Sequence, residues 1–100
     1  KNKSKFVIIY KNTEKTLISG KSLLANGIKS NSDNFDRGEI INILSIDNNI
    51  LGYGIIAYDA KEIKKIKGKQ SKDIGKLLGY KVKDVAINRN DIVLNQERRK

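Results

Sequence analysis

The sequence predicts an α+β fold, mainly β, in which short strands close a small barrel-like sheet flanked by short helices. Three observations predict it. Strand-length runs rich in isoleucine and valine recur along the chain, as at residues 6–10 and 39–46. The elements run strand, helix, two or three strands, two short helices, then one or two strands, in hairpins rather than regular βαβ crossovers. And 100 residues that are 38% hydrophobic supply one core, hence one domain.

Taken in order, Lys1 to Lys5 is polar and expected to fray. Phe6-Val7-Ile8-Ile9-Tyr10 reads as a strand buried on at least one face. Asn12 or Thr13 is placed to cap a helix with Glu14 in its first turn, where the dipole favours an acid. Leu17, Ile18 and Leu24 lie on one face of that helix, which Gly20 interrupts and a left-handed Gly27 ends. Ile28 to Ser30 fits a short strand, and residues 31–36 a polar loop whose only large apolar residue is Phe35. Arg37-Gly38 turns into a strong strand over 39–46, and Asp47-Asn48-Asn49 supports a hairpin returning through 50–58.

Asp59-Ala60-Lys61-Glu62 is an aspartate capping box, followed by Ile63 and Ile66 at helical spacing and by Gly68 as a stop. Ser71 opens another helix, with Asp73 near its start, Ile74, Leu77 and Leu78 on one face, and Gly79 at its end. Residues 85–87 and 92–94 are short strands separated by the turn Asn88-Arg89-Asn90-Asp91, and a charged tail follows.

Composition narrows the chemistry. With no cysteine and no histidine, disulfides, thiolate metal sites, imidazole triads and ordinary zinc sites are excluded. No apolar run approaches the roughly 20 residues that span a bilayer, so no membrane partner is expected. The basic start without methionine or an apolar signal core reads as a cut from a longer chain. The net charge of +10 invites a nucleic-acid or anionic-membrane reading. Seventeen of the 21 basic residues are lysine, though, in a sequence also crowded with isoleucine and asparagine, so AT-rich coding accounts for part of the basicity. Phosphate contacts recruit arginine more often, for its bidentate geometry.

Each candidate motif has a plainer explanation. Gly52-Tyr53-Gly54 resembles the opening of a dinucleotide fingerprint, but it continues a strand instead of opening a helix. Glycines that let a strand bend or another backbone approach closely are the better explanation. Gly20-Lys21-Ser22 ends like a phosphate loop, yet Lys15 stands where its first glycine belongs. Asp33, Asp36 and Glu39 offer a weak cation contact at most, and a solvated loop explains them better. Tyr10, Tyr53, Tyr58 and Tyr80 could stack on unpaired bases, but a core with six aromatics in all needs most of them at its edge. Lys61, Lys64 and Lys65 lie opposite Ile63 and Ile66, a solvated face first and a phosphate-attracting one second, like Lys67, Lys69 and the cluster Lys81-Lys83-Arg89.

Six segments in one register carry a resemblance: residues 20–28 (Gly-Lys-Ser-Leu-Leu-Ala-Asn-Gly-Ile), 35–39, 54–58, 63–71, Leu77-Leu78-Gly79-Tyr80 and Asn88-Arg89-Asn90-Asp91. Over Thr13 to Leu94 the chain resembles the PUA domain at the C-terminus of bacterial glutamate 5-kinases. It departs at Ala25, where that family usually has proline, and at Asn88, where it often has histidine. The resemblance implies a PUA-like pseudo-barrel of about five or six short mixed strands, with residues 1–12 as an N-terminal segment and first strand, 13–94 as the domain and 95–100 as a charged tail.

It also implies an accessory domain without catalytic residues, metal site or cofactor of its own. ATP and magnesium would belong to the kinase domain of a cytoplasmic enzyme of proline biosynthesis. PUA domains elsewhere bind structured RNA, which by position implies Lys21, Asn26, Gly27, Ile28, Lys29 and Arg89, with the glycine admitting a phosphate to backbone N–H groups. The rival expectation is a regulatory or oligomerisation module with no RNA ligand, its partners being the kinase domain and further copies of the enzyme.

Overall fold

A computed structural model describes residues 5–69 and 85–95. Strands β1 (Phe6–Ile9), β2 (Leu23–Leu24), β3 (Ile28–Asn31), β4 (Ile40–Leu44), β5 (Ile50–Ile55), β6 (Val85–Ile87) and β7 (Ile92–Leu94) accompany helices α1 (Lys11–Ile18) and α2 (Ala60–Ile66). Five strands form one sheet in the order β3-β1-β4-β5-β7, and β2 pairs with β6 in a second. The result is the expected α+β class. One pairing departs from the hairpin pattern: β1 runs parallel to β4, so the connection between them crosses over through α1, β2 and β3.

Alternation explains the core. Val7 and Ile9 of β1, and Ile41 and Ile43 of β4, point to one side and are buried with Leu17, Leu23, Ile28, Ile56, Ile87 and the apolar face of α2. Fully burying a side chain of this size stabilises by about 1.5–3 kcal/mol, so Ile63 and Ile66 hold α2 on the sheet. Its N-terminus is fixed as the sequence predicts: Glu62 N–H donates to Asp59 Oδ1 (2.8 Å) and Asp59 N–H to Glu62 Oε1 (2.9 Å). Gly68, at φ +75°, follows its end. The hairpin is also as expected, with Asn48 at φ 69° and the Ser45 hydroxyl accepting from the N–H groups of Asp47 and Asn49.

Several boundaries differ from the sequence expectation. Helix α1 begins at Lys11 with Tyr10 as N-cap and no side-chain cap, so neither Asn12 nor Thr13 plays that part. It ends before Gly20, the left-handed residue at φ +93°, and Leu24 is in β2 instead of on the helix face. Lys5 is not frayed: its carbonyl accepts Asn42 N–H at 2.9 Å and its ammonium meets Glu39 at 2.6 Å. Phe35 anchors its polar loop in the core, and its carbonyl accepts Ala60 N–H at 3.0 Å. Strand β5 stops at Ile55, and the chain then turns through the buried Tyr58 into the cap of α2. The expected helix from Ser71, Tyr80, the lysines at 81 and 83, and most of the charged tail lie outside the described residues.

Candidate nucleic-acid interface

The antiparallel β2–β6 pair, with Leu23 opposite Ile87 and Leu24 opposite Val85, brings the segment after α1 against the turn before β7. Ser22 completes that junction, its hydroxyl accepting Arg89 N–H at 2.9 Å across 67 residues of sequence. Arg89 opens the 3-10 turn Arg89–Asp91, which Asn88 caps by accepting Asn90 N–H at 2.9 Å. Where the resembled family often has histidine, asparagine therefore has a local structural task.

Lys21 and Arg89, distant in sequence, both line a cleft of about 210 Å³, together with Leu17, Ile18, Gly20, Ile92 and Leu94. Both cations are exposed. An anion here would meet two positive charges among apolar side chains, and a guanidinium is suited to paired contacts with phosphate oxygens. A larger hollow of about 320 Å³ lies nearby, but its lining of Leu17, Ile18, Ile50, Leu51 and Leu94 carries the carboxylate of Glu14, which repels phosphate.

The other implied residues divide. Asn26 is exposed on the 3-10 turn Ala25–Gly27. Lys29 is exposed at the irregularity in the β1–β3 register, where Ile8 faces Ser30 and Ile9 faces Ile28, leaving Lys29 as the extra residue of a bulge on an edge strand. Gly27 and Ile28 instead belong to the core. Ile28 is fully buried, and its N–H is held by the Ala25 carbonyl. Gly27 is buried, its carbonyl accepts Tyr10 N–H at 3.1 Å, and a Cβ there would sit 2.8 Å from Thr13 Cγ2 and Oγ1. The absence of a side chain at this position lets Thr13 of α1 pack closely against the turn.

Two of the tyrosines weighed for stacking stay at the surface. Tyr10 and Tyr53 are 39% and 42% exposed, so of the three described tyrosines only Tyr58 fills the core. Glu39 pairs with Lys5, whose hydrogen bond holds its carboxyl below the ordinary glutamate value. Among the described residues no group of three or more acidic side chains gathers to hold a metal.

Comparison with known proteins places this architecture. The PUA domain family matches residues 5–78. This chain belongs to that family. The PUA domain is 42% identical over 80 residues to glutamate 5-kinase of Brucella anthropi, a match covering 80% of the chain and 21% of the kinase. It thus spans about a fifth of the length of that relative. Among solved structures, NSun6 from Pyrococcus horikoshii superposes with a TM-score of 0.67 at 19% identity, over 96% of this chain and 20% of NSun6. An H/ACA RNP bound to a substrate RNA gives 0.65 at 15% identity, over 93% of this chain and 25% of the other. Both likenesses concern the fold. No helix among the described residues is long and apolar enough to cross a membrane.

Proposed function

We propose that this PUA domain is the accessory domain of a cytoplasmic glutamate 5-kinase polypeptide and binds structured RNA through the cleft between Lys21 and Arg89. The carrying observation is the junction that places these two cations together, tied by Ser22 to the backbone of Arg89. Asn26 and Lys29 extend the contact along the turn and the bulged edge strand, while Gly27 and Ile28 hold that turn on the core. The kinship to glutamate 5-kinases and the RNA-bound particle of like fold support the two halves of this reading. Phosphorylation of glutamate, with its ATP and magnesium, belongs to the part of the kinase outside the matched segment.

The test is titration of the chain with several structured RNAs over a salt series. A preference for one RNA that survives near-physiological salt is the expected result. Lys21→Ala with Arg89→Ala should abolish that preference and reduce the salt slope by about 2. Affinity that falls identically for every polyanion, with no change in the double variant, overturns the RNA half.

A further inference from the structure

On the side of the five-stranded sheet turned away from the core, strands β1, β4, β5 and β7 present mostly apolar side chains around the one amide of Asn42, and β3 adds Ser30 at the edge. Phe6 and Ile8 of β1, Ile40 of β4, Tyr53 and Ile55 of β5 and Val93 of β7 all project there, because they alternate with the buried or glycine positions of each strand. The register makes them one surface: Ile40 lies opposite Ile55, and Tyr53 lies between Asn42 and Val93. Ile40 is 63% exposed and Val93 46%. Antiparallel sheets with one wet face alternate apolar and polar residues. Here 32% of the chain is charged, yet β1, β4, β5 and β7 contain no charged residue at all. A contiguous uncharged face on so basic a molecule marks a contact surface.

Charge decides between occupants. A second copy would bring another +10 against the first, a repulsion that disfavours self-association. RNA would find no cation projecting from these strands. A neighbouring domain fits better: the matched segment is 21% of the related kinase, leaving most of that polypeptide outside it, and a tether lets a modest patch suffice. We infer that this outer sheet face packs against another domain of the same polypeptide, through a surface apolar at its centre and acidic around it. The inference rests on the accessory-domain reading above.

The test is site-resolved maleimide labelling of the intact polypeptide carrying Ile40→Cys, compared with Lys61→Cys on the exposed side of α2; this chain has no other thiol. The expected result is labelling at least tenfold slower at position 40, independent of dilution and of ribonuclease treatment. Equal rates overturn the inference. Protection lost on dilution assigns the face to a second copy, and protection lost with ribonuclease assigns it to RNA; either overturns it too. Glutamate phosphorylation by the same preparation reports separately on the kinase reading, so the two failures are distinguishable.

Discussion

At the scale of single residues, the side chains that look functional by type are divided by burial. Lys21 and Arg89 stay in solvent, whereas Gly27 serves the packing of Thr13. The Lys5–Glu39 pair gives a pH-dependent prediction. The Lys5 hydrogen bond lowers the Glu39 pKa in the folded state, so its contribution to stability is present above the ordinary value of 4.5 and is lost as pH falls through the lower folded value. Wild type should therefore be more stable than Glu39→Gln near neutrality, and the difference should shrink in acid below pH 4.5. Denaturant midpoints of both proteins over a pH series check this, and a constant gap would remove the pair from the account. Both side chains are partly exposed, so added salt should narrow the gap as well.

At the scale of elements, the contact between β5 and β7 sets the architecture of the cleft. Gly52 lies opposite Leu94, and a Cβ at Gly52 would stand 2.2 Å from the Val93 carbonyl and 2.8 Å from Leu94 Cα. These are backbone atoms that cannot swing aside. A Cβ at Gly54 would stand 2.8 Å from the side-chain Cγ2 of Ile87 and 2.9 Å from the Asp91 carbonyl. The close-approach explanation of Gly52-Tyr53-Gly54 is therefore the right one, and a nucleotide has no part in it. Gly52→Ala should cost about 1–3 kcal/mol of stability by overpacking. A urea midpoint unchanged from wild type would contradict the close approach of β7. Because β7 follows directly after Arg89–Asp91, the same substitution should weaken any anion binding at the cleft.

At the scale of the whole molecule, a charge of +10 produces attraction for any polyanion, and only placement makes part of it specific. Lys64 and Lys65 of α2 face solvent opposite Ile63 and Ile66, and the exposed Lys61 borders a separate hollow whose lining carries Asp33, Asp36 and Asp59. Replacing those three with glutamine should lower the salt slope for structured RNA by about 2 and leave the preference among RNAs intact. Filter binding of the triple variant to a preferred and an indifferent RNA measures both quantities. A lost preference would transfer the specific contact from the cleft to α2.

The sequence by itself determined the class, most elements and their stops, because these depend on neighbours within a few residues. Asp59 with Glu62, Asn48 in its turn, and Gly68 after α2 are examples, each legible from local chemistry. The family was legible too, through motifs kept in one register. The early end of α1 was not, since the exchange of a helical Leu24 for a strand depends on β6, more than 60 residues away. Only the tertiary structure decided that β1 would lie parallel to β4, that Ser22 would hold Arg89 beside Lys21, and that Gly27 and Ile28 would be buried. It also decided which side of the uncharged strands would remain open. Residue type and spacing carry the local interactions, whereas burial and juxtaposition arise when separate segments compete for one core.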